Sequence, residues 1–325
     1  MSFGGRPFEL LPGETLLAGL ERQGVAVPAF CRTGVCQTCV LRATRGRPPS
    51  RSQVGLKDSW VDRGCFLACQ CVPGEPLEVE PFDAVGRFAS RVARVEALSP
   101  AVLRVELEAP EGLAYRAGQY LQLEREGGVT RPYSIASVPG SERLELHVRR
   151  MPGGAMSAWL ASAVGEPVTL RGPFGECFYF EQEPERPLLL AGTGTGLAPL
   201  LGVVRSALAA GHRAPIHLYH GSANVDGLYQ LGELSTLAAA APGLRVICSV
   251  LSAEGVGDVT TPGCPVLAQP LDRLILDDPL DFADCRVYLC GNPDFVARLR
   301  QRVYLSGAPR SRIHCDPFVA PAAPG

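Results

Sequence analysis

Residues 187–204 read PLLLAGTGTGLAPLLGVV, a run of 18 residues without a charged side chain. By length alone this run would suit a membrane-spanning helix. Its glycines and prolines instead favour a short buried strand, a glycine-rich turn and the start of an apolar helix. The stretch therefore predicts a strand-turn-helix unit of a parallel α/β sheet and no membrane span.

The chain that follows continues this pattern. Short apolar runs alternate with helical stretches, and they read PIHLYHG (215–221), LRVICSVL (244–251) and RVYLCG (286–291), before a helical stretch at 293–307. Strands separated by helices are typical of a doubly wound parallel sheet.

The chain that precedes the opening stretch has a different period. Alternating apolar and polar residues occur in RVARVEAL (91–98), LRVELEA (103–109), YLQLE (120–124) and LELHVR (144–149). This alternation, with Gly and Pro between the runs, predicts an antiparallel barrel. Proline-rich acidic connectors at 72–86 and 181–187 then divide the chain into three predicted domains, at 1–82, 86–182 and 185–325.

Composition excludes several classes of function. The net charge is -2 with no extended basic tract, which argues against nucleic-acid binding. The N-terminus lacks the pattern of a signal peptide, so we expect a cytoplasmic protein, and we expect a monomer. In that compartment the 12 cysteines are expected to be metal ligands, catalytic thiols or buried apolar side chains rather than disulfides.

Cysteine spacing near the N-terminus indicates an iron-sulfur site. Residues 31–39 read CRTGVCQTC, a Cys-x4-Cys-x2-Cys spacing, and 29 residues separate Cys39 from Cys69. This matches the plant-type [2Fe-2S] arrangement, in which two irons require four thiolates. Cys65 and Cys71 compete as the fourth ligand, and a zinc site or plain burial is the alternative for the whole set.

The same residues, together with LACQ at 67–70, resemble plant-type ferredoxins over about residues 1–80. The resemblance implies a β-grasp domain whose cluster ligands are Cys31, Cys36, Cys39 and Cys69. The sequence departs from the ferredoxin pattern at two points. Gln37 stands where a small residue is usual, and the first strand, before Gly4, is shorter than in ferredoxins. Cluster surroundings tune the reduction potential, so Gln37 is expected to affect it.

RPYS at 131–134 and GAMS at 154–157 together look like the flavin signature of the ferredoxin-NADP reductase superfamily. In the first motif, Arg131 would bind the pyrophosphate, Tyr133 the flavin ring and Ser134 the N5 edge. The second motif lies at the start of a predicted helix MSAWLASAV. The resemblance implies an FAD site that includes Arg131, Pro132, Tyr133, Ser134, Val148, Arg149, Gly154, Met156 and Ser157.

Two further motifs resemble the nucleotide site of the same superfamily. They are GTGTGLAP at 192–199 and CGNP at 290–293. The resemblance assigns nucleotide binding to Gly194, Thr195, Gly196, Pro199, Cys290 and Gly291, with Cys290 and Ser134 at the hydride-transfer site. Phe318 in the C-terminal tail stands where an aromatic residue often covers the flavin. Asp226 follows a predicted strand, and no Arg or Lys lies between Arg213 and Arg245 to bind a 2'-phosphate, which favours NADH over NADPH.

Over essentially its whole length the chain resembles reductase components of multicomponent bacterial oxygenases. This resemblance implies hydride transfer from NADH to FAD, then single-electron transfer through a [2Fe-2S] cluster to a protein acceptor such as an oxygenase. A reductase for another iron enzyme, such as a deoxysugar dehydratase, and a passive electron carrier or redox sensor are the alternatives.

A run of basic residues adds one more hypothesis. Arg42, Arg45, Arg47, Arg51 and Lys57 occur with no acidic residue among positions 42–57. They would steer the chain to an acidic electron acceptor. The alternative is a solvated arginine-rich loop.

Overall fold

The computed structural model describes residues 1–56, 58–61, 64–82, 86–259 and 261–319. The chain divides into two compact units. The first contains the described residues from Met1 to Arg87, together with Thr130–Pro132 and Val319. The second contains Phe88–Val129 and Tyr133–Phe318, apart from residue 260.

The first unit is built on a five-stranded sheet with one main helix. Its elements are β1 (Ser2–Phe3), β2 (Arg6–Pro7), α1 (Leu16–Arg22), β3 (Val40–Arg45), α2 (Asp58–Val61), β4 (Cys65–Leu67) and β5 (Glu78–Pro81). The strand order is β2-β1-β5-β3-β4. The first strand is short, as predicted, but β2 lies outside it and forms the sheet edge. Thr15 caps α1 by accepting a hydrogen bond from the Ala18 amide, and the leucines of the helix are buried.

The second sheet forms the predicted antiparallel barrel. Its elements are β6 (Arg87–Ser99), β7 (Val102–Glu108), β8 (Tyr120–Glu124), β9 (Thr130–Ser134), β10 (Arg143–Arg149), α3 (Ala155–Leu160) and β11 (Pro167–Phe174). The order is β10-β7-β6-β11-β8-β9. An antiparallel bridge between Ile135, directly after β9, and Leu146 of β10 joins the two edges and closes the sheet. Inward-facing aliphatic side chains from every second position fill the interior.

The third sheet is parallel throughout and has the predicted doubly wound form. Its elements are β12 (Leu188–Thr193), α4 (Leu197–Ala209), β13 (Ile216–Ser222), α5 (Leu231–Ala240), β14 (Leu244–Val250), β15 (Val266–Ala268), α6 (Leu271–Asp277), β16 (Arg286–Gly291), α7 (Pro293–Leu305) and β17 (Ile313–Pro317). The order is β15-β14-β13-β12-β16-β17. Because β12 lies between β13 and β16, the strand order reverses there, which opens a crevice at its carboxyl end.

Buried apolar clusters cover both faces of this sheet, which explains its near-continuous hydrophobic strands. Residues 187–204 form β12, a turn of 3-10 helix and the first half of α4, as the glycines predicted. Within the described part of the chain, no helix has the length and apolarity that crossing a membrane would require.

In the second unit α4 packs directly on the barrel. A Cβ atom added to Gly202 would lie 2.8 Å from the backbone nitrogen of Gly118 and 2.8 Å from the carbonyl oxygen of Ile135. Only glycine permits this approach, because any side chain would have to push the helix away. The helix that follows the glycine-rich turn is thus held against the loops of the barrel.

Candidate functional site

The four predicted cluster ligands lie in the first unit as two pairs of thiols. Cys31 and Cys36 are hydrogen-bonded to each other through their side chains, and so are Cys39 and Cys69. All four residues are buried. No three His, Cys, Asp or Glu side chains surround a single-ion position in the described ranges. Two pairs of thiols suit a two-iron cluster, in which each iron takes two cysteine ligands.

Backbone amides point at these sulfurs. The amides of Thr33 and Cys36 lie 3.4 and 3.3 Å from the sulfur of Cys31. Gly34, at φ +86°, turns the loop, and a Cβ there would meet the side chain of Gln70 at 3.0 Å. Amide donors stabilise negative charge on sulfur, so the loop fits an anionic iron-sulfur cluster.

Of the two competing cysteines, Cys71 faces away from this set. Its thiol interacts with the side chain of Ser52, and burial raises its pKa to about 11. Cys65 is fully buried in β4, where its carbonyl accepts a hydrogen bond from Gln53. The position of Cys69 beside Cys39 thus supports Cys69 as the fourth ligand.

Gln37 occupies an unusual backbone conformation in the cluster loop. Its φ is +55°, and its side-chain amide donates a 2.8 Å hydrogen bond to the carbonyl of Gly55. A left-handed conformation is costly for a residue with a Cβ. The side chain therefore ties the cluster loop to the turn at residues 53–56 and compensates for the strain.

Two arginines of the basic run at 42–57, Arg42 and Arg45, lie opposite acidic residues of β5. Arg42 forms a hydrogen-bonded ion pair with Glu80, and Arg45 lies 3.4 Å from Glu78. The backbone amide of Arg47 donates to Glu75 at 2.8 Å. Lys57 is outside the described residues. Because β3 pairs antiparallel with β5, the two strands offset each other's charge, which weakens the hypothesis of a purely basic docking face.

The first flavin motif forms β9. Arg131 and Tyr133 share one face of the strand, and Pro132 and Ser134 share the other. The Arg131 guanidinium donates to the carbonyl of Thr130 at 2.7 Å. Ser134 is buried at the carboxyl end of the strand.

The second flavin motif forms the N-cap and the first turn of α3. The Ser157 hydroxyl accepts a hydrogen bond from the Met151 amide at 3.1 Å and lies 3.2 Å from the Gly154 carbonyl. The helix ends at Leu160, earlier than the predicted MSAWLASAV, because the next residues turn so that the Gly165 amide bonds to Val92. The two hydrogen bonds of the Ser157 hydroxyl thus hold the chain in place where the helix begins.

The side chains of Val148 and Met156 pack in the barrel core. A cofactor would therefore meet these two residues through their backbone. Arg149, the last residue of β10, is exposed.

The nucleotide motifs meet at the crevice of the third sheet. A Cβ on Gly196 would lie 2.6 Å from the Cys290 carbonyl oxygen, and one on Gly291 would lie 2.4 Å from the Thr193 carbonyl oxygen. Gly194 has φ +55° with open space where a side chain would stand. Thr195 and Pro199 are buried at the start of α4. The close approaches pack the turn against β16, and the open space beside Gly194 lies at a helix start, which suits a pyrophosphate.

Cys290 lies near the carboxyl end of β16, at the same crevice. Its thiol is buried, 3.9 Å from the sulfur of Cys177, and burial raises its pKa, so the thiol is neutral. The Phe318 amide donates to the carbonyl of Gly291 at 2.7 Å, which holds the C-terminal tail beside this strand end.

Sequence reasoning missed Asp316, which joins the flavin and nucleotide motifs. Its carboxylate accepts a 3.0 Å hydrogen bond from the Ser134 hydroxyl, and it pairs in register with Cys290 across β16 and β17. Burial raises its pKa to about 6. An acidic residue in the otherwise apolar tail IHCDPFV was the available signal.

Asp226 lies apart from this centre, on an exposed turn after β13. Asn224 caps the turn by accepting a 3.1 Å hydrogen bond from the Gly227 amide. The turn presents the Asp226 carboxylate to solvent at the same carboxyl edge of the sheet.

Three family descriptions match successive parts of the chain. They are a 2Fe-2S iron-sulfur cluster binding domain at 4–74, an oxidoreductase FAD-binding domain at 91–179 and an oxidoreductase NAD-binding domain at 190–301. The reductase subunit of an aromatic O-demethylase from Amycolatopsis sp. is 36% identical, over 98% of each chain. The chain belongs to the ferredoxin-NAD(P)+ reductase components of multicomponent oxygenases.

Other relatives of this reductase support the same family. A ferredoxin-NAD(P)+ reductase component of naphthalene 1,2-dioxygenase and salicylate 5-hydroxylase systems from Ralstonia sp. is 34% identical, over 94% of each chain. The crystal structure of the Amycolatopsis cytochrome P450 reductase GcoB has a TM-score of 0.67 and 33% identity, covering 98% of each chain.

The predictions of fold class, of an NAD(P)H-dependent flavin and iron-sulfur oxidoreductase, and of its [2Fe-2S], FAD and NAD cofactors are confirmed. The individual site residues and the domain boundaries stay predictions.

Proposed function

We propose that this reductase takes electrons from NADH through FAD and passes them singly, through a cluster held by Cys31, Cys36, Cys39 and Cys69, to an oxygenase component. We further propose that three domains, at 1–82, 86–182 and 185–325, divide this work in a cytoplasmic monomer. The names of the relatives, all reductase components of oxygenase or demethylase systems, support the choice of acceptor.

One observation carries the proposal. Ser134, from the strand with the predicted flavin motif, and Cys290, from the strand with the predicted nucleotide motif, meet at Asp316 of β17. A ring that contacts Ser134 and a nicotinamide that contacts Cys290 would therefore be neighbours, as hydride transfer requires.

The bound cofactors supply the hydride and single-electron chemistry, and the chain positions them. The Ser134 hydroxyl donates a hydrogen bond to Asp316, so its oxygen lone pairs would remain available to the edge of a bound flavin. Cys290 offers an uncharged, water-excluded contact for nicotinamide. The turn at Gly194 would hold the nucleotide pyrophosphate, and Phe318, whose amide bonds to Gly291, would supply an aromatic ring to the flavin.

Asp226 supports the choice of NADH. Its exposed carboxylate would accept hydrogen bonds from the ribose hydroxyls, whereas a 2'-phosphate would be repelled. Between Arg213 and Arg245 the sequence supplies no Arg or Lys that would compensate.

An anaerobic NADH titration tests the proposal. Flavin and iron-sulfur absorbance should both bleach, and complete reduction should need roughly 1.5 equivalents of NADH, because three electrons fill one flavin and one cluster. Absence of either chromophore, or bleaching of the flavin alone, would contradict it. Reconstitution with candidate oxygenase components, against a ferredoxin-dependent enzyme of another class, then tests the acceptor.

A further inference from the structure

A cluster of partly to fully buried polar side chains lies within the second unit, apart from Ser134, Cys290 and Asp316. We call it the polar joint, and its members are Glu145 and His147 of β10, Arg205 of α4, Tyr229 before α5, and Glu233 of α5. Two members belong to the flavin barrel and three to the nucleotide sheet with its helices. His147 and Tyr229 are almost completely buried.

The central contact is between His147 and Tyr229. His147 Nε2 lies 2.7 Å from a carboxylate oxygen of Glu145, and Nδ1 lies 3.0 Å from the Tyr229 hydroxyl. A carboxylate only accepts hydrogen bonds, so Nε2 carries the proton, and in the neutral ring Nδ1 accepts from Tyr229. Both nitrogens and the hydroxyl are then satisfied in one arrangement.

Arg104 of β7 adjoins the joint, 3.6 Å from Glu145 and 3.7 Å from Glu233, so two carboxylates face two guanidinium groups and the charges are balanced. Burial lowers the pKa of His147, which keeps its ring neutral. Burial alone would raise the pKa of Glu145, but the hydrogen bond from His147 and the charge of Arg205 outweigh it and lower the pKa to about 2. Arg205 reaches Glu145 at 3.1 Å, pairs with Glu233, and donates to the Ala136 carbonyl at 2.9 Å.

Four of the five members lie on, or directly follow, an element that carries a predicted cofactor-binding segment. Glu145 and His147 precede Val148 and Arg149 on β10. Arg205 lies on α4, which begins at the glycine-rich turn, and Tyr229 follows the turn that carries Asp226.

We infer that the polar joint sets the position of the nicotinamide nucleotide relative to the flavin, with His147 and Tyr229 as positioning residues for hydride transfer. The inference rests on the proposed transfer from NADH to FAD. Aliphatic contacts allow small sliding movements, whereas the directional hydrogen bonds of a buried network permit one register only. A displacement of about 1 Å at the reacting atoms can cost up to a hundredfold in rate.

The test compares two tyrosine variants of the holoenzyme. Tyr229→Phe removes the hydroxyl that His147 accepts. Tyr219→Phe is the matched control: Tyr219 is equally buried on β13, but its hydroxyl bonds to Asp278, which Arg245 also contacts, and it packs in the cluster on the other sheet face.

Stopped-flow spectroscopy should show that Tyr229→Phe lowers the limiting rate of flavin reduction about tenfold or more, with flavin content unchanged. The charge-transfer absorbance between nucleotide and flavin should weaken, and the Kd for NAD+, measured by flavin fluorescence, should change less than threefold. Tyr219→Phe should leave rate and charge-transfer absorbance as in the wild type. Equal effects in both variants, an unchanged Tyr229→Phe enzyme, or loss of bound flavin would overturn the inference.

A double-mutant cycle supplies the second test. His147→Leu should lower the same rate, and the double variant with Tyr229→Phe should be no slower than His147→Leu alone, because the pair acts as one unit. Additive losses would overturn the inference. A wild-type protein that NADH does not reduce would instead contradict the proposed function.

Discussion

The Ser134 hydroxyl donates a 3.0 Å hydrogen bond to the carboxylate of Asp316, a residue 182 positions later in the chain. The Asp316 side chain is partly buried, and desolvation raises its pKa to about 6, although the hydrogen bond from Ser134 opposes the shift. Ionised Asp316 is therefore held in the folded protein at a cost in free energy.

Asp316→Asn should stabilise the protein at neutral and alkaline pH. The pKa of Asp316 in the folded protein lies above the ordinary value, so the folded state binds this proton more tightly than the unfolded state. Ionisation of Asp316 therefore destabilises the folded state as the pH rises through 6. We expect the variant to gain about 3 kcal/mol near pH 8 and roughly half of that at pH 5. Denaturant unfolding at both pH values measures this. A gain that does not change with pH would show that Asp316 does not titrate in this range.

The pairing of Cys39 with Cys69 predicts different outcomes for two neighbouring cysteines. Cys69→Ser should lose the iron-sulfur absorbance and reduce electron transfer to a one-electron protein acceptor to background, while NADH still reduces the flavin. Cys71→Ser, whose thiol contacts Ser52, should keep the cluster and lose only about 1–2 kcal/mol of stability. Iron content and visible spectra of the two variants show which of them retains the cluster. Loss of the cluster in Cys71→Ser with retention in Cys69→Ser would reverse the ligand assignment.

The left-handed conformation of Gln37 predicts an order of stability. Gln37→Ala keeps the strained φ of +55° but loses the hydrogen bond to Gly55. Gln37→Gly loses the same bond and removes the strain, so we expect it to be more stable than the alanine variant by about 1 kcal/mol. Thermal loss of cluster absorbance compares them. An alanine variant as stable as the glycine variant would mean that the loop relaxes away from this conformation.

The exposed carboxylate of Asp226 predicts the coenzyme preference. Asp226→Asn should raise kcat/KM for NADPH and lower the NADH-to-NADPH ratio about tenfold, equivalent to about 1.4 kcal/mol. Asp277→Asn, the same change at the exposed end of α6, is the matched control and should leave the ratio as it is. Steady-state kinetics with both nucleotides provide the measurement. An unchanged ratio in Asp226→Asn would assign the preference to another residue.

The sequence by itself determined the type and order of the elements and the cofactor classes. Alternation of period two marked the barrel strands, and the unbroken apolar runs marked the parallel ones, because burial on one or two faces leaves a local pattern. The cysteine spacing at 31–39 and the glycines at 192–196 are also local, since a loop that wraps a cluster or a pyrophosphate is built from adjacent residues.

Only the tertiary structure decided which distant side chains meet. Strand order brings Asp316 beside Cys290, and β3–β5 pairing places Glu80 against Arg42, which changes the meaning of the basic run. Packing of α4 and α5 on β10 assembles His147 with Tyr229. These contacts depend on sheet order and register, which join residues far apart in sequence and leave no periodic trace in either segment.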